Sequence, residues 1–389
     1  GHRSRHYGAF QSSDMIEVED IPQPDQVDGA PHPRMTSHLY GQSIAEAAFL
    51  EAFNSNRLHH AWLISGPRGV GKATLAWRIA RFLLDQPLET AALFGAPSTP
   101  DTLDVDPTST VQRHVTALSE SRLFLCRRPW DDKLERLKQD ITVDEVRRLK
   151  SFFNFSSADG GRRVVIVDAA DEMNKNAANA LLKILEEPPA RVTMLLVSHR
   201  PLSLLPTIRS RCRTLACHAL APDDLAAALA GAGFETSTNP TALSVLAAGS
   251  VGEAIRLISH DGLKLYATLI DLLETGKMDR PTAIHLAESC TSKAGAARYD
   301  VAIRLIGVLM HRIASAGVFG PPKIAVSPAE ASLLTRLAPS VHAARGWADL
   351  AQTLSERAAH ARAVNLDPAS VILDMLLKID QMAATSRAA

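Results

Sequence analysis

Short apolar runs alternate with helical patterns over the first half of the chain. Four such runs predict buried β-strands: Ala61 to Ser65, Arg122 to Cys126, Arg162 to Asp168 and Val192 to Ser198. Continuous apolar runs of this length are typical of parallel strands that are covered on both faces. Between the runs, apolar residues recur at three- and four-residue spacing, as at Leu75, Ile79 and Phe82, which predicts helices. Strands that alternate with helices predict a doubly wound parallel α/β sheet.

The pattern changes after about Leu220, where strand-like runs stop and helical patterns remain. Three short helical segments come first, and longer alanine- and leucine-rich helices follow from about Asp261. Residues 1–35 contain six acidic residues and show little periodicity, which favours a flexible acidic arm. The sequence therefore predicts four parts: the arm over 1–35, an α/β domain over 36–218, a small helical domain over 219–260 and an all-α C-terminal domain over 261–389.

The charges of the chain cancel, with 42 Lys and Arg against 42 Asp and Glu. Zero net charge argues against a protein that coats nucleic acid with its whole surface, so any contact with phosphate needs a local patch. The chain has no run of 18 apolar residues, and the first residues lack the apolar core of a secretory signal. Four scattered cysteines without a C-x-x-C pair favour a reducing compartment, and we expect a cytoplasmic protein.

The strongest local motif is a glycine-rich loop between a predicted strand and a predicted helix. It consists of Gly66, Pro67, Arg68, Gly69, Val70, Gly71, Lys72, Ala73 and Thr74. The G-x-x-x-x-G-K spacing is that of a phosphate-binding loop, in which backbone N–H groups surround the phosphates. In such a loop Lys72 reaches the β- and γ-phosphates.

The position after the lysine departs from this motif. Ala73 stands where a Ser or Thr hydroxyl ligates Mg²⁺. Thr74 is a poor substitute, because the next residue of a helix points about 100° away. Two interpretations remain: a degenerate site that holds ATP or ADP, or a loop that keeps its shape without nucleotide. We expect no required cofactor and no ATP hydrolysis at this loop.

A second element of the same chemistry is Asp168, which ends a predicted strand. A carboxylate at that place suits a water ligand of Mg²⁺. Hydrolytic P-loop proteins usually place a glutamate base next, and this chain has Ala169. Asp171 and Glu172 follow, and they are expected to serve as charges near a helix start rather than to act on water.

A third element is a basic stretch, because no Asp or Glu occurs from Pro188 to Pro222. Arg209, Arg211 and Arg213 alternate within it, so in an extended segment they share one face. The stretch is either a solvated loop with salt bridges to a neighbouring domain, or a surface that presents arginine to a partner's phosphate.

The sequence resembles the clamp-loader branch of the AAA+ ATPases from about Leu39 to Leu257. The match includes LYGQ, RLHHAWLISGPRGVGKATLA and VVIVDAADEMNKNAANALLKILEEPPARVTMLLVSHRPLSLLPTIRSRC. The resemblance implies a helical lid domain after the P-loop domain and a C-terminal collar domain. It also implies that Lys72 and the glycines form the Walker A loop and that Asp168 is the Walker B aspartate. Ser198 takes the sensor-1 position, and Arg211 is an arginine finger that acts in trans on ATP held by a neighbouring subunit.

Departures from the family pattern indicate which kind of family member this chain resembles. Ala73, Ala169 and Gly252 stand where an active motor has a hydroxyl, a glutamate and a sensor-2 arginine. The resemblance therefore implies a stator-like subunit that lost its own ATPase and kept the finger. An ATP-hydrolysing gamma/tau-type motor is the alternative; an unrelated P-loop kinase and a pure interaction protein rank lower.

The same resemblance implies several partners and no metal. The partners are the gamma/tau motor and delta subunits of a loader, with the sliding clamp and primed DNA contacted through the assembly. Many relatives carry a four-cysteine zinc module after the P-loop helix. Here the interval from Phe82 to Ile141 holds only Cys126, so we expect no structural zinc.

Overall fold

A computed structural model describes residues 22–87, 99–155, 161–235, 237–291 and 295–388. Its main sheet has five parallel strands in the order β2-β5-β6-β1-β7. The strands are β1 (Ala61–Ser65), β2 (Leu123–Arg127), β5 (Arg163–Asp168), β6 (Val192–Ser198) and β7 (Arg213–Ala216). A separate antiparallel pair is formed by β3 (Trp130–Asp131) and β4 (Arg136–Leu137). The four predicted strands are confirmed, and β7 is a fifth, shorter strand.

Helices cover both faces of this sheet. They are α1 (Ser43–Asn54), α2 (Lys72–Asp85), α3 (Thr110–Thr116), α4 (Val143–Phe155), α5 (Lys175–Glu186) and α6 (Pro206–Arg209). Val164 and Ile166 pack into the core that contains α2, whereas Val165 and Val167 pack into the core that contains α4 and α5. This alternation is the two-residue period of a strand. It explains why β5 is apolar along its whole length.

The register of the sheet places four polar strand ends at its carboxyl-terminal side. Ser65 pairs with Ser198, and Arg127 pairs with Asp168. The phosphate-loop sequence leaves the same side, because Gly66 follows the last residue of β1. A five-stranded parallel sheet in this order, with a phosphate loop after β1, is the fold of an AAA+ P-loop domain, as predicted.

The part of the chain after β7 is helical. Its elements are α7 (Pro222–Gly231), α8 (Pro240–Ala247), α9 (Val251–Ser259), α10 (Gly262–Glu274), α11 (Arg280–Glu288), α12 (Gly295–Phe319), α13 (Pro328–Leu337), α14 (Val341–Ala363) and α15 (Pro368–Ala388). The predicted loss of strands after about Leu220 is confirmed for the residues that the structure describes there. The four domain boundaries stay a prediction.

Helix α12, with 25 residues, is the longest of the described elements. Among the described residues it is the one helix that is by itself long and apolar enough to cross a membrane. Its residues Leu305, Leu309 and Ile313 are buried, and α12 packs against α10, α13 and α14. Helix α12 is therefore a core element of the helical region.

The segment before α1 differs from the expected flexible arm. Asp25 and His32 are buried, and Arg81 of α2 donates to the Arg34 carbonyl at 2.7 Å and to the Thr36 carbonyl at 2.8 Å. Buried guanidinium groups need acceptors, and the backbone of this segment supplies them. Residues 22–35 thus pack on the P-loop helix, and the rest of the predicted arm lies outside the described residues.

Candidate functional site

The loop from Gly66 to Gly71 connects β1 to α2. Gly66, Gly69 and Gly71 have φ angles of 144°, 74° and 101°, a region that favours glycine. A Cβ atom on Gly66 would collide with the backbone carbonyl of Cys217, and one on Gly69 would collide with Ser250. The sequence therefore folds here into a tight loop that only glycine permits.

Lys72 begins α2 and lies almost fully buried beneath this loop. Its Nζ donates to the Gly66 carbonyl at 2.7 Å and also to the Pro67 carbonyl. Burial lowers the pKa of Lys72 to about 8, although the nearby Asp168 and Asp171 oppose the shift. The Lys72 ammonium group therefore donates to carbonyls of the loop itself. A bound phosphate would compete with these carbonyls for the same N–H donors.

Asp168 ends β5, which β6 separates from β1. Its Oδ2 has no hydrogen-bond partner among the described residues. Burial raises the pKa of Asp168 to about 8, the charges of Asp25 and Glu172 add to the rise, and Lys72 opposes it. A buried carboxylate without a partner is rare in folded proteins. It marks this edge of the sheet as a candidate functional site.

Ser198 and His199 contribute two more unpartnered atoms to the same edge. Ser198 is fully buried, and within the described ranges neither its Oγ nor Nδ1 of His199 has a hydrogen-bond partner. Burial lowers the pKa of His199 to about 4, with help from Lys72 and Arg68, so its imidazole is neutral at pH 7. The sequence indicated Ser198; His199 was missed although it directly follows.

A cavity of about 340 Å³ lies beside these strand ends, and Ser198, Gly66 and Pro67 are not among its lining residues. Its lining combines polar side chains, such as those of Lys72, Asp168 and His199, with apolar ones, such as those of Val27 and Ile255. A cavity that borders a phosphate loop and has both polar and apolar lining residues suits a nucleotide. The predicted loop residues Arg68, Gly69, Val70, Gly71, Lys72, Ala73 and Thr74 and also Asp168 all line it.

The site fits a nucleotide better than it fits a metal. Ala73 faces the cavity and carries no oxygen, so the usual protein hydroxyl for Mg²⁺ is missing. Over the part of the chain that the structure describes, no group of three or more His, Cys, Asp or Glu side chains could hold a metal ion. Bound nucleotide and the lack of zinc both stay predictions.

Helix α9 closes directly onto the loop. The Gly252 backbone N–H donates to the Gly69 carbonyl at 3.1 Å. A Cβ on Gly252 would lie only 3.1 Å from the Gly69 Cα, so the glycine permits this close approach. Arg256, one helical turn later, lines the cavity. At Gly252, the position that the family resemblance assigns to sensor 2, the helix therefore contacts the loop through its backbone. Arg256, the arginine of the same helix that lines the cavity, was not singled out from the sequence.

Asp25 is a further residue that sequence reasoning missed. Its Oδ1 lies 2.6 Å from Nη1 of Arg127, and its Oδ2 lies 3.0 Å from Nε2 of His32. Burial opposes the ionisation of Asp25, but the contacts with His32 and Arg127 outweigh it and lower its pKa. Because Arg127 pairs with Asp168 in the sheet, this network borders the site.

Arg211 lies elsewhere in the molecule. It precedes β7, whose Arg213 pairs with Trp62 near the start of β1, whereas the phosphate loop follows the end of β1. Arg211 and the phosphate loop therefore lie at opposite ends of the strands: Arg211 at the amino-terminal side of the sheet and the loop at its carboxyl-terminal side. The interval from Trp62 to Ser65 alone corresponds to about 10 Å along the strand.

The expected alternation of three arginines on one face is wrong. Arg209 is the last residue of α6, and only Arg213 belongs to a strand. The physical reason is Pro206, which occupies the first position of α6, where proline favours a helical turn. Arg213 lies over the ring of Trp62, with its Cζ 5.2 Å from the ring centroid. Arg211 thus lies in the turn between α6 and β7 and does not share one strand face with Arg209 and Arg213.

Several known proteins are similar to this chain in sequence. Residues 41–221 match the profile of a family described as DNA polymerase III, delta subunit. Over this part, the chain is similar to subunits of DNA polymerase III. It is 38% identical over 168 residues to DNA polymerase III subunit delta′ of Pseudomonas aeruginosa. It is 28% identical over 253 residues to DNA polymerase III subunit gamma of Buchnera aphidicola.

These matches cover part of each protein. The first spans 41% of this chain and 43% of its relative, and the second spans 63% of each. Among solved structures, a gamma-subunit-related protein of DNA polymerase III from Thermotoga maritima is 17% identical, with a TM-score of 0.37. That alignment covers 86% of this chain and 99% of the other. Because the score is low, the fold assignment rests on the strand order.

Proposed function

We propose that the chain is a delta prime subunit of the DNA polymerase III clamp loader. It is a largely non-hydrolytic stator that completes the loader ring. It supplies Arg211 in trans for the ATP-driven loading of the sliding clamp onto primed DNA during replication. The observation that carries the proposal is the separation of Arg211 from the chain's own phosphate loop.

The separation supports action on a neighbour's ATP. Arg211 lies before the start of β7 and the loop lies after the end of β1, so the sheet stands between them. The planar guanidinium suits a phosphate, and the side chain of Arg211 is 34% exposed. An arginine that cannot reach its own site and remains accessible is suited to a site on another subunit.

The chain's own site supports a non-hydrolytic role. Ala73 and Ala169 supply neither a metal ligand nor a base, and Lys72 is bonded to its own loop. Phosphoryl transfer depends on positioned Mg²⁺ and on a group that orients water. The chain then acts in a cytoplasmic DNA-directed DNA polymerase holoenzyme through its gamma/tau and delta partners, and ATP or ADP in its loop is not required.

A gamma/tau-type motor is the second candidate. The intact G-x-x-x-x-G-K loop and the match to a gamma subunit favour it. It requires Thr74 or water to take the place of the missing metal ligand. Metal-dependent ATP turnover by the isolated chain, abolished in Lys72→Ala, would support this candidate over the first.

The test of the proposal is Arg211→Ala in a loader reconstituted with gamma/tau and delta subunits. An arginine finger contributes about 10³–10⁵ in rate in GTPases, so we expect ATP turnover and clamp loading to fall at least about tenfold while assembly survives. Arg213→Ala is the matched control, because this arginine lies at the same sheet edge but over Trp62. Normal loading by the Arg211 variant would remove the finger role.

A further inference from the structure

Two acceptors on packed helices, Glu186 and Thr207, hold the guanidinium of Arg211, and the Ser210 Oγ lies 3.5 Å from its Nη1. Its Nη2 lies 2.9 Å from Oε1 of Glu186, and its Nη1 donates to the Thr207 carbonyl at 2.9 Å. An arginine has five N–H donors, so further donors remain beyond these two bonds. The group is thus fixed by its own subunit and still able to bind an anion.

The two acceptors belong to well-anchored elements. Glu186 is the last residue of α5, a helix capped by Asn174 and packed through the buried Leu181 and Leu185. Thr207 belongs to α6, which packs against α5. The position of the guanidinium is therefore set by two helices rather than by a free loop.

The ion pair is too exposed to matter much for folding. The side chains of Arg211 and Glu186 are 34% and 45% exposed, and pairs of this kind contribute about 0–1 kcal/mol to stability. The pair can matter for binding instead. A long side chain that is already held in one rotamer does not have to be ordered when it binds its target, so the entropy cost of binding is lower. The pair is suited to orienting Arg211.

We propose that Glu186 is a positioning residue for Arg211, which it holds ready for phosphate on the neighbouring subunit. The inference rests on the proposed finger role of Arg211. Glu187 provides a natural comparison, since it is adjacent and exposed and forms no ion pair with any described residue. A general loss of negative charge at this helix end would affect both glutamates alike; positioning affects only Glu186.

The experiment compares Glu186→Gln, Glu187→Gln and Arg211→Ala in the reconstituted loader. We expect Glu186→Gln to lower the kcat of ATP turnover about three- to tenfold with little change in KM, because the misplaced group acts in the transition state. Glu187→Gln should match the unaltered protein. In the Arg211→Ala background, Glu186→Gln should have no further effect, as expected for residues that act through one another.

The outcomes separate the two proposals. If Arg211→Ala lowers turnover and Glu186→Gln does not, or if Glu186→Gln still acts without Arg211, the positioning role is overturned and the finger role stands. If Arg211→Ala leaves turnover unchanged, the proposed function fails and the positioning role fails with it. Size-exclusion chromatography of each variant loader confirms that assembly is intact.

Discussion

Two buried carboxylates, Glu330 in the helical region and Asp168 in the P-loop region, have opposite surroundings. Glu330 accepts hydrogen bonds from Tyr266 at 2.6 Å, from the Val326 N–H at 2.6 Å and from Arg312 at 2.6 and 2.9 Å. Burial opposes its ionisation, but the bonds from Arg312 and Tyr266 outweigh it and lower the pKa of Glu330.

Asp168 has no comparable set of donors. Its Oδ2 finds no partner among the described residues, and burial with the nearby charges of Asp25 and Glu172 raises its pKa. The difference separates a carboxylate that joins three helices from one that the fold leaves unsatisfied. Groups of the second kind collect at functional sites, so Asp168 marks its end of the sheet as a candidate site.

The largest expected effect is on the satisfied carboxylate. Glu330→Ala leaves the Arg312 guanidinium without its buried partner, and breaking a buried ion pair in this way costs about 3–5 kcal/mol. We expect a marked fall in the urea midpoint of the full chain. Asp374→Ala, which removes an exposed pair with Arg357, is the control and should change stability by less than about 1 kcal/mol.

An effect of opposite sign is expected at Asp168. Its folded pKa is raised from 3.8 to about 8, so the native state favours the protonated form. The stability that it contributes is fully present below pH 4 and is lost as the pH rises towards 8. Asp168→Asn removes this loss, because asparagine does not ionise. The change in unfolding free energy caused by Asp168→Asn should therefore be more favourable at pH 8.5 than at pH 4, by an amount on the order of a few kcal/mol.

Thermal unfolding midpoints at the two pH values measure this difference. Asp374→Asn, which alters an exposed carboxylate, controls for the general change in charge. Equal effects of Asp168→Asn at both pH values would mean that Asp168 is ionised without strain in the folded protein.

The smallest expected effect concerns Mg²⁺. Because Ala73 offers no oxygen, we expect Mg²⁺ to change the affinity for a fluorescent ADP by less than about threefold, or about 0.7 kcal/mol. Ala73→Thr should make binding respond to Mg²⁺ by about tenfold or more, or about 1.4 kcal/mol. Fluorescence titration in Mg²⁺ and in EDTA measures both.

A tenfold gain in affinity from Mg²⁺ in the unaltered chain would contradict the loss of the metal site. Absence of ADP binding in both solutions would favour the interpretation that the loop keeps its shape without nucleotide.

The sequence predicts the strands well because each is a continuous apolar run that local pattern can reveal. The loop from Gly66 to Lys72 and the strand end at Asp168 meet at one edge because parallel strands end together. The burial of Asp25 could not be foreseen, since its partner Arg127 lies 102 residues away. An acidic, proline-containing segment has no local signal for such a contact.

Other misses have the same origin. The alternating arginines suggest an extended segment. Pro206 instead begins the short helix that ends at Arg209, and that proline was given no weight in the prediction from sequence. Glu330, Arg312 and Tyr266 are joined across three helices, and separations of 18 and 64 residues leave no periodic pattern. Long-range polar networks are therefore the part of this fold that sequence reasoning did not reach.

The most direct measurement for the proposed function is ATP turnover by the loader reconstituted with Arg211→Ala. A fall of at least about tenfold, with assembly intact and Arg213→Ala near normal, is the result expected of an arginine finger. Turnover equal to that of the unaltered loader would contradict the central claim that this subunit acts on its neighbour's ATP.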